Sequence, residues 1–494
     1  MERSKPNGSA RIAIIGAGAA GLATAYYLKK SGYKNVIVLE KLPRAGGLCR
    51  SITLDYKSFD LGANYITLAY RELRKIAREV GAKMYAGDRY YATTVPKNSQ
   101  EKMVYRTLLE EILANPGGEP ISIWRLVRKV AKFIWLRWRL RPLIDRPTFE
   151  KLEEHDGAVD DPAKKLCVPF EQWLEENELT ELRRMFEVPI TMMGFGYLED
   201  TAAPYVLKFM TLGTFVPMML YPIPVIGWFF QWPRRFVDGY ERLWEDVAKG
   251  LNVLLDVDIT RVGRPGDRAA SKDEPISINF WHPGQAMFGT DEHDATLNFD
   301  FLILACPLEH DVLRKFMEVR DGERALFDMI ETCAYCMTTF YVDRDLEHGV
   351  NCVFPFDQTT IGKPWAAVQM FPGQSRLVQF YSRAPRDEMV TRAEMEDVVR
   401  ASVKLAYRMG HTIAGWKPDG SPDPQRSAEY HTFDCWPYFQ HVSHTDFGKF
   451  YAGLEALQGQ NRTYYVGGAT NFELIEPILE YAKALVDREF PRVS

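Results

Sequence analysis

Cysteine is scarce in this chain, with seven in 494 residues, an odd number scattered at positions 49, 167, 306, 333, 336, 352 and 435. That excludes a disulfide scaffold and fits a reducing, cytoplasmic setting. The lone CxxC, Cys333 to Cys336, lacks the second pair that a zinc site wants. Its context, CAYCMTTFYV, alternates like a strand, so both thiols are expected in a core. No run of eighteen apolar residues exists, so no simple helix is expected to span a bilayer. Charge of one sign is also lacking. Against 66 acidic residues stand 61 basic ones, a net charge of -5, which gives no field to gather nucleic acid. Residues 1–10, MERSKPNGSA, have no apolar h-region and are expected to be a flexible tail rather than a secretory signal. What the chain does have is a 46% hydrophobic composition, enough for a sizeable core and, at this length, two domains.

The first ordered pattern is strand, glycine turn, helix, strand. RIAII ends at Gly16, a helical pattern runs from Ala19 to about Ser31, and NVIVLE ends at Glu40. Gly16, Gly18 and Gly21 in GAGAAG stand where a dinucleotide fingerprint requires them. Gly16 serves the tight turn, Gly18 the approach of backbone to a pyrophosphate, and Gly21 the packing of helix on strand. Ala19 and Ala20 open the helix whose N–H groups face the phosphates. Glu40 is placed to accept hydrogen bonds from the ribose hydroxyls of an unphosphorylated adenosine, and would repel a 2′-phosphate. The fingerprint by itself allows NAD or FAD.

The following runs narrow that choice. KLPRAGGLCRS, with Lys41, Arg44, Gly46, Gly47 and Leu48, resembles the second element of the flavin amine oxidase superfamily. There a glycine pair passes under the diphosphate and isoalloxazine. Gly62, Ala63 and Asn64 in FDLGANYI resemble the next element, Ile259 in DVDITRV the adenine-pairing strand, and Ala305 in FLILACP the strand-ending A-x-P. YYVGGATN, with Gly467 and Gly468 and a helix opening near Ile475, resembles the last flavin contact. Relatives usually place an acid where this chain has Gly468. The resemblance implies FAD and an α/β fold: a Rossmann-type FAD-binding domain with an inserted substrate domain of mixed sheet and helices. On this chain it divides into FAD-binding segments at 11–100, 233–329 and 446–494, a helical, lipid-facing region at 101–232 and a substrate sheet at 330–445.

The substrate region resembles more closely the flavin-dependent polyunsaturated fatty acid double-bond isomerases that form conjugated linoleic acid. PFEQWLEENELTELRRMFEVPITMMGFGYLEDTAAPYVLKFM carries the likeness, with CWPYFQHVS and LEALQGQNRTYYVGG. Its opening stretch, PFEQWLEENELTELRRMFEV, also reads as the clearest amphipathic helix of the region. The resemblance implies removal of a hydride from a bis-allylic carbon to the flavin and its return to another carbon, in a dry tunnel with aromatic faces. Phe195, Tyr197, Tyr438 and Phe439 are the candidate aromatics; each reads equally as a core residue. Arg89 is the cation available to meet a carboxylate, and Met218 stands near the expected gate. The apolar run 215–232 contains Pro217, Pro222 and Pro224, which argue against a regular helix. It fits an acyl tunnel, a membrane-resting loop or a buried irregular loop. ISIWRLVRKVAKFIWLRWRLR (121–141) carries seven Lys and Arg and no acid. It reads as a membrane-surface helix or as a solvated basic face over a core. The expected partner is a small apolar or lipid-like substrate. An ordinary flavin oxidase or dehydrogenase, and a flavin-binding protein whose chemistry has lapsed, remain open alternatives. His441 reads as structural, and no catalytic acid or base is assigned.

Overall fold

The computed structural model describes residues 6–86, 90–94, 103–115, 118–152, 164–220, 233–266, 274–283, 295–354, 356, 360–384, 390–425 and 431–493. Ile12–Ile15 is buried at all four positions. A continuous apolar run of this kind suits a parallel strand covered on both faces. It lies at the centre of a five-stranded parallel sheet, in the order Thr463–Tyr465, Phe301–Leu304, Ile12–Ile15, Val36–Leu39 and Val253–Leu254. Side chains alternate between two cores. Ile12 and Ile14 join Leu22 and Leu28 of the first helix and Leu479 and Leu485 of the last, while Ala13 and Leu302 face the helical region. The first and last helices, Ala19–Lys30 and Ile475–Glu489, pack against each other on this sheet.

The second large sheet has seven strands in the order His431–His441, Glu331–Tyr341, Leu377–Arg383, Pro364–Val368, Val350–Phe354, Tyr90–Thr94 and Val104–Thr107. Its pairs are antiparallel except Val350–Phe354 with Tyr90–Thr94. This corrects two expected boundaries. Tyr90–Thr94 fell inside the expected first FAD-binding segment and Val104–Thr107 inside the expected helical region, yet both belong to the seven-stranded sheet. Tyr90–Thr94 pairs with a strand some 260 residues away, as Val350 meets Tyr90, and Val104–Thr107 joins the sheet through it; local pattern carries no record of the distant pairing.

The expected amphipathic helix after Pro169 is interrupted. It ends at Glu176, Glu178 takes a left-handed φ of 51°, and Leu179 N–H bonds back to the Leu174 carbonyl at 2.7 Å. That is a Schellman-type stop. Helix resumes at Arg183–Ile190. NVLLDVDITRV likewise divides: Val253–Leu254 closes the parallel sheet, Asp256 turns with φ 56°, and Asp258–Gly263 begins a three-stranded antiparallel sheet. Pro217 lies inside the helix Leu212–Leu220 rather than preventing it; the rest of that apolar run, 221–232, lies outside the described residues. Cys333 and Cys336 are buried on a strand, as their alternation suggested. Among the described residues no single helix is long and apolar enough to cross a membrane.

One buried ion pair ties the three-stranded sheet to the parallel one. Arg264, with no exposed surface, pairs with both oxygens of Glu323 and donates to the Glu318 carbonyl at 2.6 Å, while Tyr465 Oη donates to Glu323. Arg264→Ala leaves that carboxylate buried without its cation, and a stability loss of about 3–5 kcal/mol is expected in urea unfolding. A loss below about 1 kcal/mol would show that the pair does not hold these sheets together.

Candidate functional site

The first strand ends at Gly16, whose φ of 107° suits only glycine; a Cβ there would stand 2.7 Å from the Ala305 carbonyl oxygen. A Cβ on Gly21 would run into the Gly16 carbonyl, so the helix sits tight against the turn. Gly18 opens that helix with no side-chain cap and no acid in the first turn, leaving N–H groups at the positive end of the helix. A second turn passes beneath: Gly46 N–H donates to the Ala17 carbonyl at 2.8 Å, and a Cβ on Gly47 (φ 57°) would lie 2.9 Å from Gly18 Cα. The Glu40 carboxylate joins the two turns, taking Ala17 N–H at 2.6 Å on one oxygen and Leu42 N–H at 2.8 Å on the other. Each oxygen keeps a lone pair for a ribose hydroxyl.

These turns line one end of a cavity of about 1080 Å³ that runs between the two large sheets. Its wall contains Gly16, Gly18, Ala19, Ala20, Glu40, Lys41, Arg44, Gly46, Gly47, Leu48, Gly62, Ala63, Asn64, Ile259, Ala305, Gly467, Gly468 and Ile475. Every expected cofactor residue except Gly21 is therefore present, and Gly21 acts from behind. The residues fit a dinucleotide. A Cβ at Gly18 would fill a cradle whose nearest neighbour is Gly47 Cα at 3.9 Å. Arg44 lines this site too, and its buried Nη1 has no hydrogen bond and lies 3.5 Å from the Glu241 carboxylate.

At the end beside Gly467 the wall is aromatic. Tyr335 stacks on Tyr438 (5.7 Å, 28°) and on Tyr381 (5.8 Å, 26°), and Phe195 lies 5.4 Å from Tyr438. Of the four expected aromatics, Phe195 and Tyr438 face the cavity. Tyr197 and Phe439 do not. Along this strand Trp436, Pro437, Tyr438 and Gln440 line the cavity, while Phe439, at an irregularity in the pairing where φ is 58°, stacks on His441 at 4.3 Å instead. Tyr197 is buried against Trp365 and under the Arg383 guanidinium. Met218 lines the cavity, and Arg89 lies outside the described residues.

Tyr335, Tyr381, Trp436, Gln440, Glu309 and Glu473 were not foreseen. Only the strand pattern of WPYFQHV held a signal for Trp436 and Gln440. Glu473 is the consequential one, because its Cγ lies 2.9 Å from where a Gly468 Cβ would be. The acid missing at 468 thus has its space taken by an acid from five residues on. Glu473 accepts the Gln440 N–H at 2.5 Å, and Gln440 Nε2 donates to Glu309. Burial, with Glu309 nearby, pushes the Glu473 carboxyl up to about 8.

Residues 14–80 match the NAD(P)-binding Rossmann-like domain family. The chain is 34% identical over 203 residues to the polyenoic fatty acid isomerase of Ptilota filicina, covering 39% of each. Matches to the protoporphyrinogen oxidases of Arabidopsis thaliana and Nicotiana tabacum and to a probable flavin-containing monoamine oxidase A of Dictyostelium discoideum span 12–16% of those relatives. Over 98% of its length the chain superposes on the CLA-producing fatty acid isomerase from P. acnes (TM-score 0.72, 22% identity, all of that chain). It superposes likewise on a putrescine oxidase variant (TM-score 0.63, 12% identity, 99% of that chain).

Burial holds the Glu473 carboxyl above its ordinary range. The folded state holds this proton more tightly than the unfolded chain, so its stabilising contribution is complete below about pH 4.5 and is lost as pH rises through about 8. Glu473→Gln is expected to flatten the fall in melting temperature of the cofactor-free protein across that window. An unchanged slope would mean that the carboxyl is already ionised. In its architecture, then, the chain resembles the flavin amine oxidase superfamily, with fatty acid isomerases among its relatives.

Proposed function

We propose that this chain is an FAD-dependent enzyme that takes a hydride from an unsaturated, lipid-like substrate and returns it to another carbon, moving double bonds. The observation that carries this reading is the make-up of the cavity end beside Gly467: stacked aromatic rings, with no lysine or histidine among the described residues there. The lysines in the wall, Lys41 and Lys315, stand by the nucleotide-binding strands. A hydride shuttle needs ring faces and a dry wall, and the Glu473 carboxyl at this end is engaged by the Gln440 N–H and packed over Gly468.

Each part of the chain has a role in this reading. The N-terminus of the first helix and Arg44 hold the diphosphate, Glu40 holds the ribose, and the Glu473 carboxyl, in the space above Gly468, meets the hydroxylated chain of the cofactor. FAD, when bound, supplies the hydride-accepting and hydride-donating centre. The rings of Phe195, Tyr335 and Tyr438 exclude water and present π faces to the positive charge left on the substrate carbons. The hydride that leaves one carbon is the hydride that returns, so no external oxidant is consumed.

Anaerobic mixing of the yellow protein with linoleic acid is expected to build conjugated-diene absorbance with no lasting loss of the visible flavin band. Persistent bleaching that oxygen reverses, with peroxide formed, would point to an oxidase instead. Gly47→Val tests the cofactor assignment: the new side chain strikes Gly18 Cα, so the purified variant should be folded by circular dichroism yet colourless, with FAD affinity reduced at least about a hundredfold, on the order of 3 kcal/mol.

A further inference from the structure

The helix Ile123–Arg139 has two faces of opposite kind. Its inner face is core: Phe133 is wholly buried, 4.6 Å from Phe215 and 5.0 Å from Phe186. Its outer face is not the polar one a soluble helix normally turns to water. Trp124 is 81% exposed, Trp135 50% and Trp138 58%, at spacings of eleven and fourteen residues that stack them on one side. Three large rings aligned on one side leave apolar surface in water that the fold does not cover. Exposed aromatics of this number on one helix mark a binding surface.

The charges beside the rings say what the surface meets. From Ile121 to Ile144 there is no acidic residue. Arg125 and Lys129 pair with Glu181, and Lys132 with Glu178, along the flank that faces the protein. Arg128 and Arg139, on the outer side, are both exposed and have no carboxylate partner among the described residues; the Arg139 guanidinium lies 4.8 Å over the Trp135 ring. Tryptophan bodies with exposed guanidinium groups among them match the boundary between acyl chains and anionic headgroups. The neighbours give the position a use. Phe215 belongs to the helix whose Pro217 and Met218 line the cavity, and Phe186 to the helix that contributes Val188 and Pro189.

We propose that the outer face of this helix docks the protein on an anionic membrane surface, one helix layer from the cavity. The substrate then reaches the site from the bilayer rather than from water. This rests on the lipid-like substrate proposed above, but the docking itself does not depend on turnover. Co-sedimentation of the full-length flavoprotein with phosphatidylcholine vesicles, with and without phosphatidylglycerol, is the test. Binding is expected to vesicles containing phosphatidylglycerol and to weaken as salt rises. Replacing Trp124, Trp135 and Trp138 together by Ala should lower it at least about tenfold on both vesicle types. R128Q/R139Q should lower only the anionic component. Circular dichroism and flavin content should stay as in the parent protein, since none of these side chains enters the cavity. No vesicle binding, vesicle binding that the tryptophan variant retains, or a tryptophan-dependent dimer in sedimentation without vesicle binding would each overturn the proposal. Failure of the substrate reading would look different: vesicle binding would persist while linoleic acid gave no conjugated product.

Discussion

Two backbone turns from different parts of the N-terminal segment meet at Gly18 and Gly47, and the rest of the site is arranged around that contact. Neither position tolerates a side chain without closing the groove between them: at Gly47 the neighbour is backbone, and at Gly18 the space is the groove itself. The Glu40 carboxylate fastens the contact by binding one N–H from each turn. Because the bonds are charge-assisted and sheltered, they hold the turns more firmly than neutral hydrogen bonds would. The same carboxylate retains lone pairs toward the cavity, so one residue both builds the groove and faces what enters it.

The long strands of the second sheet meet this groove at the C-terminal turn. There the parallel sheet supplies Gly467 and Gly468, and the seven-stranded sheet supplies Tyr335, Trp436 and Tyr438. One side brings backbone that allows close approach, and the other brings ring faces. Glu473 sits at that junction, and its backbone bond from Gln440 joins the last segment to the aromatic strand. A carboxyl buried between two sheets and held close to neutrality suits a site that must stay dry while keeping one polar group within reach.

The nucleotide-binding half was legible in the sequence because its determinants are local. A continuous apolar strand, glycines at fixed intervals and a terminal acid lie within a few turns of one another, and the backbone geometry they demand is nearly independent of the remaining chain. The aromatic half was only partly legible. Composition marked Phe195, Tyr197, Tyr438 and Phe439 as candidates, but the strand pairing is irregular at Phe439, whose φ is 58°, and that local break is not written in the run of aromatics. Which of Tyr438 and Phe439 lined the cavity depended on the side from which Glu331–Tyr341 and the helical layer packed. Tyr335 and Tyr381 sit in strands that read as ordinary core.

Sequence alone therefore determined the cofactor groove: glycine is the only residue whose backbone reaches φ near 107° at Gly16 without strain, and Glu40 ends the strand that places it. It also determined that the helix after Ser122 would be basic and rich in tryptophan. Tertiary structure decided everything that depends on partners distant in the chain. It drew Tyr90–Thr94 into the seven-stranded sheet, folded Glu473 over Gly468, and left the tryptophans of the basic helix on the outside. Those outcomes follow from which surfaces were already covered when the layers packed, and burial of that kind is a property of the assembled chain rather than of any short stretch of it.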